Sequence, residues 1–536
     1  MKFKKQTIAF QDTNYFSKIA IDYIHKKEKL QPFIQAFPDK ESLAKQIFLK
    51  QQQQIDRVLL QEVITQQYAE IPMHEAVSQN VALLSNTNTF TICTAHQPCI
   101  FTGPLYIIYK ITHAIKLAQT CKQLLPNNHF VPVFYIGSED NDLEEIGTIH
   151  LYNETLTWNT PQTGACGSMN TADLSNVTKE VLAVLDQNII DEKWLAQLIN
   201  QAYGSNLSLT AATRIMLNGL FASYGLLILD ANEHRFKKVF APIMKDELLR
   251  QQSAIWVSET GKQLSEFYKV QATGREINLF YLKDQLRARI EKKGDRWTVH
   301  NTDLSMNESE LLSEIERHPE HFSPNVILRP LYQEMILPNI AFIGGGGELA
   351  YWLELKKIFD QYQVPYPIIL LRNSFLLIDY TTIQRIDKAQ LTLSHLFIQT
   401  DALNKLLLAN HESLTQLDEK LASIHTLLLD IEKLSATINI NLETSMKAHH
   451  AKALKVTDRI KQKFISQLKQ KETAKLQAVS NIKQTLFPAN SLQERYDNFI
   501  PMFKKYGKNL IATLIEMQEG IESAFIILTE DKNEII

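Results

Sequence analysis

Between Thr91 and Glu145 the chain twice repeats one pattern, an apolar run that opens directly into a polar loop: TICTAHQPCIFTGP, then VPVFYIGSEDNDLEE. Runs of this kind read as strands buried on both faces, as in an open parallel sheet. In such a sheet ligands bind in the crevice beyond the carboxyl ends of the strands, because the loops there vary while the strands hold them rigidly. Reactive side chains are therefore expected in these loops.

The first unit reads strand, loop, helix. Phe90 to Cys93 supply the strand, and Leu105, Ile108, Ile111, Ile115 and Leu117 recur at helical spacing. Gly103-Pro104 marks the boundary, since proline suits a first helical turn and glycine permits close backbone approach. Free amides at that helix start can receive a phosphate or carboxylate. A tight turn that only joins two elements would look the same.

The second unit ends in Ser138, Glu139, Asp140, Asn141, Asp142, Glu144 and Glu145, five carboxylates in seven positions. Such a run repels itself unless it meets a cation or ammonium group or rises in pKa. It follows the apolar strand Val131 to Ile136, which places Glu139 or Asp140 at the working edge of the sheet. An amino group or a metal would suit it, but the spacing fits neither an EF-hand nor a zinc pattern, and no metal ligand is assigned. A solvated acidic turn remains the alternative.

A third unit lies far downstream, in NVILRPLYQEMILPNIAFIGGGGELAYWLELKKIF. Ile340 to Ile343 form its strand, Gly344 to Gly347 its loop, and Leu349, Trp352, Leu353 and Ile358 one helix face. Neither GxGxxG nor GK[ST] is present. Glu348 at the helix start would repel an anion there and suits an ammonium or hydroxyl; an ordinary first-turn acid beside close-packing glycines explains it equally well.

Together these segments resemble the bacillithiol biosynthesis cysteine-adding enzymes, the BshC cysteine ligases. The matching stretches are FTGPLYIIYK, PVFYIGSEDNDLEE, REINLFY, LRPLYQEMILPNIAFIGGGGELAYW and LQERYDNFIPMFKKYG, in one order over most of the chain. One departure is Ala95-His96, where Gly-Gln is common. The resemblance implies an α/β fold with a Rossmann-like core akin to class I aminoacyl-tRNA synthetases, a helical coiled-coil domain and homodimerisation. It also implies addition of cysteine to the amino group of glucosamine-malate, the last step of bacillithiol synthesis.

That chemistry assigns roles. Amide formation is uphill in water and needs the cysteine carboxyl activated as an adenylate or acyl phosphate, so ATP or another nucleotide with Mg2+ is expected. His96, Gln97, Thr102 and Gly103 hold the place of the synthetase phosphate site, with Lys110 roughly two helical turns on; Gly344 and Gly345 are grouped with them. No second histidine completes an HxGH motif. Asp140 and Asp142 are assigned to the cysteine ammonium or to deprotonating the incoming amine, with Glu348 as second candidate and Glu139 beside them. The two malate carboxylates call for arginine, and Arg329 and Arg372 stand beside core segments. Gln333, Tyr351 and Trp352 are expected near the same pocket.

The remaining chain sets the frame. With 536 residues, 45% hydrophobic content and a net charge of −3, it can bury a large core and has no basic field suited to nucleic acid. The start MKFKKQTIAFQD lacks the roughly 7–15-residue apolar stretch of a signal peptide, and no segment approaches about 18 apolar residues. Cys93, Cys99, Cys121 and Cys166 are too few and irregular for a disulfide framework or a zinc site, so a cytoplasmic protein with reduced thiols is expected.

Residues 1–410 are assigned to the core, with a helical start and insertions at about 150–225 and 251–325; the second insertion, where Ile277, Leu279 and Tyr281 alternate with polar residues, reads as a small β unit. Strand Leu226 to Leu229 ends at Asp230, read as a helix cap. Residues 411–488 read as an antiparallel helical hairpin, with Leu417, Leu421, Ile424, Leu428 and Ile431 on an acidic first arm and Ile460, Phe464 and Leu468 on a basic second arm. Residues 489–536 are expected to pack back on the core as helices. Two other classes fit the same chain: a nucleotide-binding regulator with a degenerate synthetase core, and a scaffold whose coiled coil is its purpose.

Overall fold

The computed structural model describes residues 3–152, 154–204, 206–272 and 274–531; the first two residues of the expected core and residues 532–536 of the expected C-terminal segment lie outside the described residues. At its centre is a parallel sheet of β1 (Thr89–His96), β2 (His129–Ile136), β3 (Leu227–Asp230), β4 (Asn339–Gly344) and β5 (Ile368–Leu371), in the order β5-β4-β1-β2-β3. Alternation along each strand feeds two apolar layers: Cys93, Ala95, Val131 and Val133 face one, while Phe90, Ile92, Ile340 and Ile343 face the other. The strand order reverses between β1 and β4, which opens a crevice at their carboxyl ends.

Helix α1 (Leu105–Leu124) follows β1 and is buried almost all round, and α2 (His234–Arg250) follows β3. Before α1 the backbone turns at Gly103, whose φ is +61°; a Cβ there would lie 2.7 Å from Cys99 Cβ and 2.9 Å from Ile107 Cδ1. Only glycine fits that turn. After β4, α3 (Gly346–Leu353) begins at the glycine loop.

The first insertion is mainly helical, with one hairpin, Thr148–Leu151 with Glu154–Thr157. The second is a five-stranded antiparallel sheet, with Leu279–Lys283, Leu286–Lys293 and Arg296–Val299 as its middle strands, as the alternating pattern predicts. The buried pair Lys50–Glu334, at 2.9 Å, ties the N-terminal helix Lys40–Gln52 to the helix Arg329–Ile336. Asp230 does not cap a helix: it accepts a hydrogen bond from the Ser138 hydroxyl at 2.6 Å, and Glu233 holds the position before α2.

The start and end of the chain differ from expectation. Phe3–Ile8 is a strand, paired antiparallel with Phe525–Glu530, which itself pairs parallel with Ser374–Ile378. The C-terminal segment is therefore helical only up to Met517.

Helices α4 (Glu412–Ala436) and α5 (Ile440–Lys471) form the expected hairpin, with Asn439 capping α5 and Asp418 paired to Lys461 at 2.7 Å across the arms. The seam is shorter than the heptads suggest. Leu414, Leu417, Ile465 and Leu468 pack at its base, whereas Ile424 and Ile431 are 42% and 49% exposed. Two helices cover only part of each other's apolar surface, and here that surface is broader than one seam. Among the described residues no helix is long and apolar enough to cross a membrane.

Candidate active site

A cavity of about 400 Å³ lies at the carboxyl ends of β1, β2 and β4, within the size range of small-molecule sites. Its wall brings together residues from three strand-end loops: His96 and Gln97 at and after the end of β1, Glu139, Asp140 and Glu145 after β2, and Gly345 to Glu348 after β4. Lys110 and Tyr106 enter from α1, Arg329 and Tyr351 from the third unit, and Arg287 from the β insertion. Arg372 and Arg495 complete it.

Glu348 is the hinge of the site. Its Oε2 accepts the Gly345 amide at 2.8 Å and the Lys110 ammonium at 2.5 Å. Burial would raise its pKa, but Lys110 and the Gly345 amide outweigh that and hold it below the usual carboxylate range. Gly344 makes this possible, since a Cβ there would lie 2.9 Å from Glu348 Cβ. Burial lowers the pKa of Lys110, which also donates to the Ala95 carbonyl at 2.7 Å. The carboxylate at this helix start thus closes the Gly345 amide to an anion, as the sequence suggests.

His96 is half-buried on the cavity wall, and desolvation followed by the nearby Lys110 charge pushes its pKa down to about 4. It is a neutral imidazole at pH 7, with Nε2 2.8 Å from the Tyr106 hydroxyl and Nδ1 3.2 Å from the Gln97 carbonyl. Its ring therefore carries no cationic charge and offers the wall hydrogen bonds only. Cys99 lies 3.6 Å from Nδ1, but burial drives its pKa far up, so it remains a thiol.

The acidic loop divides. Asp140 accepts from Gln97 Nε2 at 3.1 Å and from its neighbour's amide, stands 3.7 Å from Arg287, and keeps over a third of its side chain exposed. Burial, then Asp142 and Asp140, raise the pKa of Glu145. Glu139 pairs with Lys237 of α2, whose ammonium also donates to the Phe322 carbonyl at 2.9 Å. Asp142 is not on the wall: its carboxylate accepts the Glu145 amide and caps the short helix Leu143–Ile146.

The arginines divide likewise. Arg329 donates to Gln333 at 3.2 Å and to the Tyr351 hydroxyl at 3.1 Å, lies over the Tyr135 ring, and has no carboxylate within ion-pair distance among the described residues. Arg495 also lacks one among the described residues. Arg372, expected to bind substrate, instead holds Glu494 through two bonds of 2.9 and 2.6 Å, both side chains buried. Gln333 is fully buried behind Arg329 and positions it, and Trp352 is core.

Thr102 and Gly103 are not on this wall. The C-terminal segment covers their turn: Asn498 Nδ2 donates to the Phe101 and Gly103 carbonyls at 2.9 and 2.7 Å, and the Asp497 carbonyl accepts the Leu105 amide at 2.8 Å. The helix-start amide expected to meet a phosphate is thus used within the chain. Gly103 lines a smaller neighbouring cavity that shares Tyr106, Glu145 and Arg495 with the first. Gly344 is likewise buried behind the wall. Sequence reasoning missed Arg287, Tyr106 and Arg495; the last lies in the LQERYDNF stretch that carries part of the family resemblance.

Comparison with known proteins agrees over the full chain. Residues 3–373 match the family model described as bacillithiol biosynthesis BshC, N-terminal Rossmann-like domain, and residues 375–530 match its C-terminal coiled-coil domain. A protein of Flavobacterium johnsoniae named "Putative cysteine ligase BshC" is 38% identical, over 97% of this chain and 99% of its own. Bearers of the same name in Flavobacterium psychrophilum and Cytophaga hutchinsonii are each 36% identical, over 97% and 92% of this chain and 98% and 93% of their own. A solved structure described as "putative arginyl t-RNA synthetase" from Campylobacter jejuni aligns with 86% of this chain and 98% of its own at 11% identity and a TM-score of 0.23, too slight a likeness to bear on the chemistry.

Proposed function

The chain belongs to the BshC family of bacillithiol biosynthesis, and from that premise we propose that this ligase joins cysteine to the amino group of glucosamine-malate through an activated cysteine carboxyl. The observation that carries the reading is the charge pattern of one cavity. Arg329 and Arg495, guanidiniums without a carboxylate partner among the described residues, share a wall with the carboxylates Asp140, Glu145 and Glu348. Such a wall complements reactants that bear carboxylates and amino groups together.

In this reading Arg329, oriented by Gln333 and Tyr351, takes a malate carboxylate, with Arg495 in the place first given to Arg372. The Oε1 of Glu348, without a protein partner among the described residues, faces the cysteine ammonium. Asp140 takes the proton that leaves the amine as its nitrogen attacks the activated acyl carbon and the activating group departs with the carboxyl oxygen. Activation calls for a nucleotide, ATP with Mg2+ being the simplest. Of the residues assigned to it, Gln97, Lys110 and Gly345 line the cavity, with the Gly345 amide and the Lys110 ammonium already engaged by Glu348, which leaves Gln97 to meet it. Cytoplasmic residence belongs to the same reading, since four free, buried cysteines suit a reducing compartment.

Purified protein supplied with cysteine, glucosamine-malate and ATP with magnesium is expected to form the cysteinyl amide. Asp140→Asn should fold normally and lose about a hundredfold or more in rate, the range for a lost general base. Steady-state rates beside thermal melts check this; full activity in the variant would remove Asp140 from the mechanism.

The coiled coil supports a homodimer. Leu427, Leu434, Ile438 and Ile440 are 64%, 66%, 67% and 70% exposed near the tip of the hairpin, an apolar surface that the two arms leave uncovered. Leu427→Asp/Leu434→Asp is expected to shift a dimer to monomer with helicity intact, read by light scattering and circular dichroism. An unchanged mass would count against this contact.

A further inference from the structure

Outside the cavity lining, the turn Pro319–His321 of the β insertion carries an HPEH sequence whose three polar side chains converge. Ligand atoms of His318, Glu320 and His321 all lie within 4.8 Å of one another. The rings of His318 and His321 stack, with centroids 4.9 Å apart. A fourth group arrives from another element: His234, the first residue of α2, places Nδ1 2.6 Å from Glu320 Oε2, while His318 Nδ1 lies 3.2 Å from the other oxygen.

A second tier of contacts orients the cluster. Glu314 Oε1 lies 2.7 Å from His321 Nδ1 and accepts the Tyr281 hydroxyl at 2.8 Å. A carboxylate on one ring nitrogen fixes the tautomer and turns the other nitrogen outward as a lone-pair donor, the outer-shell arrangement that accompanies metal-bound histidine. Imidazole and carboxylate together select late first-row divalent cations.

We propose that His318, Glu320 and His321 form a binding site for a divalent transition cation of the zinc class, with His234 of α2 held against the Glu320 ligand. The cation would take up the Glu320 carboxylate now shared between His234 and His318, and bind His321 through Nε2. Its place in the fold gives it a structural consequence. His234 opens the helix whose Lys237 holds Glu139 of the cavity, and His321 adjoins Phe322, whose carbonyl that same lysine binds. The strand Phe322–Pro324 then runs into Asn325 and Val326 of the cavity wall. A bound cation fixes the Glu320 carboxylate, and with it the Glu320–His234 contact between the β insertion and α2, along this seam.

The test is titration of tag-free full-length protein with Co2+, read by its visible absorption, followed by displacement with Zn2+. One equivalent should bind, and Zn2+ should raise the melting temperature. His318→Ala/His321→Ala should abolish the band and the thermal shift, and Glu314→Gln should weaken binding by about ten- to hundredfold. His318→Ala alone, at the most exposed ligand, removes little buried contact beyond the ring stacked on His321 and should also weaken binding. A control, His425→Ala/His450→Ala in the coiled coil, should leave the band unchanged. Absence of binding at millimolar Co2+, or an undiminished band in His318→Ala, would overturn the proposal.

Discussion

Arg329→Ala is expected to lower kcat/KM for the malate-bearing acceptor by about two to three orders of magnitude while leaving the KM for cysteine near its wild-type value. A desolvated guanidinium that meets a carboxylate contributes about 2–5 kcal/mol when its partner is left unpaired, and each 1.36 kcal/mol is about tenfold. The residue is held ready by Gln333 and Tyr351 and has no competing carboxylate among the described residues, so little reorganisation stands between the free and bound states. Arg329→Lys should recover only part of the loss, because an ammonium cannot make the paired contact of a guanidinium. Steady-state kinetics with two acceptors separate the outcomes. A glucosamine derivative without the malate group should react equally with wild type and variant; an equal loss on both acceptors would show that Arg329 holds the fold of the site and not the malate.

Arg372→Ala should act on stability. The change strands the Glu494 carboxylate in a fully buried position where it also accepts the Phe375 amide. Breaking one side of a buried ion pair costs about 3–5 kcal/mol, whereas replacing both partners with apolar groups of similar volume is often neutral. Arg372→Met/Glu494→Leu is therefore expected to restore most of what the single variant loses, as measured by chemical denaturation. If Arg372→Ala keeps the wild-type midpoint and fails only in substrate binding, the original reading of Arg372 as a malate ligand is correct and the structural reading is not.

These two arginines show where the sequence was legible. Both stand beside core segments, and position along the chain gave them equal claims on a dicarboxylate. What separates them is Glu494, 122 residues further on, which no local pattern links to Arg372. Arg495, next to it, reaches the cavity by the same long-range docking. The strand-end loops, by contrast, were readable because a buried strand must be continuously apolar and the first polar residue after it must stand at the sheet edge. That logic placed His96, Glu139, Asp140 and Glu348 on one wall. It failed for Asp142 because an aspartate two residues further on is already a helix cap, with its carboxylate turned to the Glu145 amide.

The same contrast holds for the fold. The parallel sheet, the β insertion and the hairpin follow from local periodicity. The strand Phe3–Ile8 does not: FKKQTI has no apolar run, and it is ordered by a partner more than 500 residues away in the chain. In the coiled coil, heptad spacing located both arms but not which apolar positions face each other, since Leu414 is buried and Ile424 exposed on one stripe.

The account turns on the acceptor and the donor meeting in this cavity, and the thiol profile of bacillithiol-producing cells that lack this gene tests it most directly. The prediction is loss of bacillithiol with accumulation of glucosamine-malate, reversed by the wild-type gene and not by Asp140→Asn or Arg329→Ala. A normal bacillithiol pool in the deletion cells would contradict it.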